Sequence, residues 1–319
     1  MSKKNLYIFK DGAIRLKNTT LYLITKEEKI PLQIEQIRSI YFIGSGSIST
    51  KVLQRFKELG ILIHFYDRFG NYIGTFYPKD NLISGEILLR QAKAAIDINS
   101  RLRFAKLFVT GAMKNINWIL DRFGLDQLEI KDISNISNIN ELMQAEGLFR
   151  RMFYDKLDSK LPDEFKIVKR EMHPPSNRGN ALLSFLNSLV YNLVTTEIYY
   201  THLNPSISYL HEPFERRFSL SLDVAEIFKP LLSERLILRL CDLKQLDPVA
   251  DFEDNEGLFL SKLGLKKVVK AFDDEISKTI QFRTKNKNVT IRQLVRIELY
   301  KIEKDLLGIK EYKPLVCWW

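Results

Sequence analysis

Residues 75–96 read TFYPKDNLISGEILLRQAKAAI, and the chain changes character inside them. On the N-terminal side, short apolar runs alternate with turns. Leu6–Phe9 precedes Lys10-Asp11-Gly12, Thr20–Ile24 precedes the charged Lys26–Lys29, and Ile30–Ile34 and Ser39–Ile43 follow, closed by Gly44-Ser45-Gly46. Ile61–Tyr66 and Tyr72–Phe76 flank the turn Asp67–Asn71. Such short, turn-punctuated runs predict β-strands. One helix is expected among them over Ser49–Leu59, with Thr50 able to cap it and Gly60 ending it. On the C-terminal side, Leu89, Ala92, Ala95 and Ile96 recur at helical spacing, as do Leu102, Ala105, Val109 and Met113. Tyr77–Asn81 carries the Pro, Asn and charge of a connection.

Working outward, Asn138-Ile139-Asn140-Glu141 has the capping Asn and following Glu of a helix start. Further helices are expected over Asn180–Tyr200, Ser219–Cys241, Leu260–Thr279 and Val289–Leu307. The expected class is α+β: a β-rich, sandwich-like unit over 1–76, a linker over 77–86, and a mainly helical unit over 87–319. No internal repeat or low-complexity tract interrupts this pattern.

The composition is that of a packed globular protein, 45% hydrophobic and 28% charged, far from the disordered range. Cys241 and Cys317 lie far apart with no CxxC pair, which argues against a disulfide framework and fits a reducing cytoplasm. The opening MSKKNLYIFKDG has no apolar run of signal-peptide length, and no stretch is expected to reach bilayer-spanning length. The net charge is +10, and residues 260–313 carry 14 basic side chains against 7 acidic ones. A concentrated positive field attracts a polyanion, although a lysine-rich solvated surface has the same composition.

Charges that interrupt apolar faces are the chemical signal. Glu146 follows Leu142 by four residues and precedes Phe149 by three and Phe153 by seven, so it sits on their stripe. An ionised carboxylate there needs a partner, either Arg150 at i,i+4 or a metal ion. In the helix that begins Ser219–Glu226, the residues Leu220, Val224, Ile227 and Leu231 form the buried stripe, and Asp223 and Glu226 project together from its edge. An acidic pair on a helix is ordinarily solvated. Here His211 lies twelve residues before Asp223, behind a turn-forming stretch long enough to fold back. Carboxylates plus imidazole without thiolate suit Mg²⁺ or Mn²⁺, and the histidine leans toward Mn²⁺.

Read together, these residues resemble the CRISPR-associated Cas-one integrase family. The resemblance runs through Leu88-Leu89-Arg90-Gln91, Ala145-Glu146-Gly147, the segment from Pro174 to Ser184, Leu210-His211-Glu212, and Leu222 to Pro230. It implies a metal site with Glu146, His211 and Asp223 as ligands. It also implies Glu226 as an additional acidic group, and Asn180 as a structural or supporting residue, first of all a helix cap. Two departures are visible: His202-Leu203-Asn204-Pro205 stands where a Gly-Leu-Asp-Pro turn is common, and Lys229 stands where Arg is common. The resemblance further implies a homodimer formed through the β-rich unit, a Cas-two dimer as partner, and double-stranded DNA as substrate. The reaction implied joins 3′-hydroxyl ends of short duplexes into a CRISPR repeat by phosphodiester transesterification, with hydrolysis as the same chemistry using water.

In that frame Arg150, Arg151, Arg216 and Arg217 are candidate phosphate contacts beside the metal. The alternative is that Arg150 simply pairs with Glu146 and Arg217 is exposed. Lys262, Lys266, Lys267 and Lys270 suit a face that tracks a DNA backbone, with Lys285 and Lys287 in a basic loop. Phe149, Phe153, Tyr199 and Tyr200 are read as core rather than as base-stacking groups. Competing functional readings are a metal-dependent nuclease of DNA repair or RNA processing, and a non-catalytic nucleic-acid-binding protein.

Overall fold

The computed structural model describes residues 3–18, 20–79, 82, 84–171, 174–213, 217–282 and 288–319. Arg216, Lys285 and Lys287 therefore lie outside the described residues.

The β-rich part contains β1 (Lys4–Ile8), β2 (Gly12–Lys17), β3 (Thr20–Ile24), β4 (Lys29–Leu32), β5 (Ile37–Ile43), β6 (Gly46–Ile48), α1 (Thr50–Leu59), β7 (Leu62–Tyr66) and β8 (Tyr72–Phe76). They form two four-stranded sheets, ordered β1-β5-β7-β8 and β4-β3-β2-β6. The first sheet runs parallel through β1, β5 and β7 and turns antiparallel only at β8. The sandwich-like expectation holds, but its strands are mixed in direction, because α1 crosses over between β5 and β7. Gly60 ends α1 in the left-handed region at φ +66°, where a residue without Cβ fits.

The continuous apolar run Ile40-Tyr41-Phe42-Ile43 shows why the first sheet is central. Ile40 and Phe42 pack with Ile14, Leu21 and Phe56 between the two sheets. Tyr41, Ile43 and Tyr66 point the other way and join the core of the helical part. A strand buried on both faces loses the alternation of a half-exposed one.

The helices are α2 (Gly85–Ile96), α3 (Ile98–Arg122), α4 (Ile139–Asp158), α5 (Arg178–Tyr199), α6 (Ser219–Lys229), α7 (Arg235–Asp242), α8 (Lys262–Ser277) and α9 (Ile291–Leu306). The helix expected over Ser219–Cys241 runs through without interruption, but a π turn, Pro230–Glu234, lies inside it between α6 and α7. Two small antiparallel pairs, β9 (Phe252–Asp254) with β10 (Leu258–Leu260) and β11 (Thr279–Gln281) with β12 (Asn288–Thr290), flank α8. Asn138 caps α4 as its sequence suggests, its side chain accepting from Glu141 N at 2.9 Å.

The expectation that no stretch reaches spanning length is corrected by α5. Its 22 residues are long and apolar enough by length and composition, and the apolar window is 83% buried inside the protein. Helix α5 is the central helix of the core. Its buried Glu197 receives Arg38 from the strand side, at 2.9 Å on each oxygen, and Arg296 from α9 at 2.7 Å. His64 of β7 bridges Thr75 and Thr196, 2.8 Å from each. The C-terminal Tyr312–Cys317 segment lies on α3 and α9, with Tyr312 buried and hydrogen-bonded to Glu298.

Candidate metal centre

The connection between α5 and α6 carries His211, and three helices tie it down. From α2, buried Gln91 donates to the carbonyls of Asn204 and Ile207 and accepts from Asn204 N at 2.8 Å. From α3, Arg101 donates to Tyr209 O and pairs with Glu212, each at 2.9 Å. From α6, Asp223 accepts from the backbone N–H groups of Tyr209, Leu210 and His211 at 2.6, 3.0 and 2.9 Å. Its Oδ1 also lies 2.8 Å from His211 Nδ1. Both oxygens of the fully buried Asp223 are therefore committed to the loop. A carboxylate on Nδ1 fixes the ring tautomer and leaves Nε2 to meet a ligand. Burial opposes charge on the imidazole, but the Asp223 hydrogen bond and the fields of Asp223 and Glu226 outweigh it, so the His211 pKa is raised.

The second half of the centre is a guanidinium with a different carboxylate on each nitrogen. Arg150 Nε donates to Glu146 at 2.7 Å, one terminal nitrogen to Glu226 at 2.5 Å, and the other to Glu234 at 3.1 Å. Lys229 holds the other oxygen of Glu226 at 2.5 Å. Burial alone raises the Glu226 pKa, but Lys229, Arg150 and His211 dominate and the net shift is downward. Glu226 thus stands electrostatically between the arginine cluster and the histidine loop.

The π turn explains how Glu234 reaches this place. In a regular α-helix a residue eight positions after Glu226 lies about 80° round the axis. A turn wider by one residue reduces that offset. Pro230 has no N–H to offer the preceding turn, and Asn115 of α3 donates to the carbonyl of Ile227 at 3.0 Å.

Among the described residues, no three His, Cys, Asp or Glu side chains are gathered closely enough to hold one ion as they stand. Asp223 and His211 are brought together, while Glu146 joins Glu226 and Glu234 around Arg150. The donor set nonetheless suits a hard dication. Three carboxylates already share one cation, the His211 imidazole is within electrostatic reach of Glu226, and Glu234 Oε2 is buried without a partner.

The family model described as CRISPR associated protein Cas1 matches residues 6–274. A CRISPR-associated endonuclease Cas1 of Pyrococcus horikoshii is 45% identical over 323 residues, covering all of both chains. A solved CAS1 protein from Thermotoga maritima superposes with a TM-score of 0.92 at 35% identity, covering 98% of this chain and all of that one. The chain belongs to the Cas1 family. A casposase solved with its integration product shares the fold, with a TM-score of 0.85 at 19% identity over 98% of this chain and 92% of that one.

Within this Cas1 chain, the other sequence candidates divide. Asn180 is not the cap of α5: Asn177 is, its side chain accepting from Asn180 N at 2.8 Å. Asn180 is buried one turn in, accepting from Arg170 and Glu171 N and donating to the carbonyls of Ile167 and Lys169. Arg150 is engaged by carboxylates, so the pairing alternative is the one observed. Lys267 is held by buried Asp251 at 2.6 Å. Arg151, Arg217, Lys262, Lys266 and Lys270 are exposed. Phe149, Phe153 and Tyr199 are buried, as a core reading requires. Glu234, Lys229, Gln91 and Arg101 escaped the sequence argument as parts of the site. For Glu234 the spacing from Glu226 is misleading without the π turn, and for Gln91 and Arg101 nothing local signals a contact more than a hundred residues away.

Proposed function

We propose that this protein is the metal-dependent DNA integrase and endonuclease of CRISPR adaptation, transferring 3′-hydroxyl ends of short duplexes into a repeat by phosphodiester exchange. Membership of a family whose relatives are named endonucleases supports the enzymatic reading. The observation that carries the site is the pairing of Glu146 and Glu226 through one guanidinium, with Glu226 in the field of a histidine whose Nδ1 is already held. On this reading Glu146, His211 through Nε2, and Glu226 hold Mn²⁺ or Mg²⁺. Asp223, first expected as a ligand, instead orients His211, because its oxygens accept four hydrogen bonds from the loop. When bound, the cation supplies Lewis-acid charge neutralisation and an activated attacking hydroxyl or water. The chain's own residues fix the donors before substrate arrives, since the three ties on the 204–212 segment remove most of its freedom.

A cavity of about 830 Å³ opens between the β7–β8 turn and α5–α6, bordered by Tyr191, Arg170, Arg217 and Ser221. Tyr191 also lies under Lys229, whose ammonium is 5.8 Å from its ring centroid. On this reading a DNA end approaches the carboxylates from this cavity, past Tyr191. Solved Cas6-RT-Cas1–Cas2 complexes share the fold at 17–18% identity, and their composition supports a Cas2 partner on this reading. Homodimerisation through the β-rich part, double-stranded DNA as substrate, and work in the cytoplasm complete the proposal.

The test is strand transfer into a supercoiled plasmid carrying a repeat, with the Cas2 partner present, under a Mn²⁺ titration. Glu226→Gln and Glu146→Gln are expected to abolish transfer at every metal concentration while retaining DNA binding. Asp223→Asn is expected to retain a measurable residue of activity. Full activity in Glu226→Gln, or without any divalent cation, overturns the reading.

A further inference from the structure

Arg150 is a poor phosphate contact as it stands, and that sets a different question. Its side chain is only 11% exposed, and its three donor directions go to α4, α6 and the π turn. Three carboxylates this close repel one another in a water-poor setting unless a cation lies among them. Arg150 does not meet every oxygen of the cluster: Glu234 is fully buried, its Oε1 receives Arg150 and Tyr154, and its Oε2 has no partner. An unpartnered buried carboxylate oxygen is costly and marks a place where the balance of charge changes in use.

We propose that Arg150 is a built-in counter-cation that aims Glu146 and Glu226 at one another and competes with the divalent metal for them. Glu234 biases that competition by drawing the guanidinium toward the π turn. The inference rests on Glu146 and Glu226 being metal ligands, and it deepens that reading by naming what sets the affinity. Arg150 lets the cluster fold without metal, because the positive charge is supplied by the chain. The same charge weakens metal binding, because a dication brought to these oxygens meets a guanidinium already in place. Glu234 acts in the opposite sense, adding negative potential and giving Arg150 somewhere else to point. Arg150 and Glu234 are thus positioning residues whose effects on metal affinity have opposite signs.

The experiment is calorimetric titration of the full-length protein with MnCl2, paired with thermal unfolding with and without Mn²⁺, for wild type, R150Q, R150K and E234Q. R150Q is expected to unfold at lower temperature without metal, to show a larger rise in Tm when Mn²⁺ is added, and to bind Mn²⁺ about tenfold tighter. E234Q, which keeps the shape of the side chain, is expected to bind Mn²⁺ about tenfold more weakly. R150K keeps the charge and should fall near wild type. If R150Q does not fold, the direction of change in E234Q decides. Mn²⁺ binding in R150Q equal to or weaker than wild type, or undiminished binding in E234Q, overturns the inference while leaving the metal centre intact. No Mn²⁺ binding in wild type overturns both.

Discussion

At the scale of single residues, Asp223 shows how far a short motif can be read. Its spacing from His211 and Glu226 is visible in the sequence, and the structure joins it to His211. Which carboxylate ligates and which orients is not visible, because that depends on the loop N–H groups that Asp223 accepts. Asp223→Asn keeps the shape but offers Nδ1–H only one acceptor oxygen. Turnover is expected to fall by about 10- to 100-fold, as for other residues that orient a metal-binding histidine, with a raised Mn²⁺ requirement in the strand-transfer assay. His64 gives a pH prediction. Burial lowers its pKa to about 3, so the folded protein holds it neutral between Thr75 and Thr196. The unfolded ring takes a proton near pH 6.5. Its contribution to stability is therefore complete above that pH and is lost as pH falls toward 3, by on the order of 5 kcal/mol across the window. Denaturant unfolding of wild type and His64→Gln at pH 7.5 and 5 should show a steeper loss in wild type.

At the scale of elements, some helix ends were legible and others not: Thr50, expected to cap α1, is its first residue, and Ser49 stands at the cap without a side-chain hydrogen bond. Asn138 with Glu141, and Gly60, are local signals whose caps form within one turn. Asn180 was misread because Asn177, three residues earlier, occupies the cap while Asn180 turns inward to hold residues 167–171. The π turn was illegible for a related reason: the Ile227 carbonyl just before it takes a hydrogen bond from another helix, donated by Asn115. That residue also donates to Leu315 O at 3.1 Å and accepts from Cys317 N at 2.8 Å, so one amide binds the C-terminal segment to the backbone beside Glu226. Gly111, one turn earlier on α3, leaves space there: a Cβ at this position would meet Pro314 at 2.8 Å. Asn115→Leu removes the bonds to Ile227 O, Leu315 O and Cys317 N and is expected to destabilise the protein by about 2–3 kcal/mol in denaturant unfolding. Removing residues 314–319 should lower Tm as well. A truncated protein with wild-type Tm would show that the segment does not brace α6.

At the scale of the whole molecule, the class was legible because residues 75–96 change period within a few positions, from strand-like runs to helical recurrence. The mixed strand directions were not, since a strand covered on both faces carries no alternation to read. The two halves meet through charge as well as packing: Glu197 on α5 holds Arg38 and Arg296 together. Glu197→Gln leaves two guanidinium groups facing a neutral amide and is expected to cost about 3–5 kcal/mol, read as a fall in the denaturant midpoint. One cooperative transition should remain, because the shared sheet belongs to both cores. Exposed Lys262, Lys266 and Lys270 are expected to act only through the DNA backbone. Replacing all three by Gln should weaken duplex binding uniformly across sequences and flatten its salt dependence by a slope of about 2–3. That shared sheet also constrains drift in the family. Tyr41 and His64 present themselves to the helices, while Ile40 and Phe42 on the adjacent positions serve the outer sheet. Neither set can be exchanged without a matching change in a different neighbour. Divergence along this wall should therefore arrive as linked pairs, His64 with Thr196 foremost, rather than as isolated replacements.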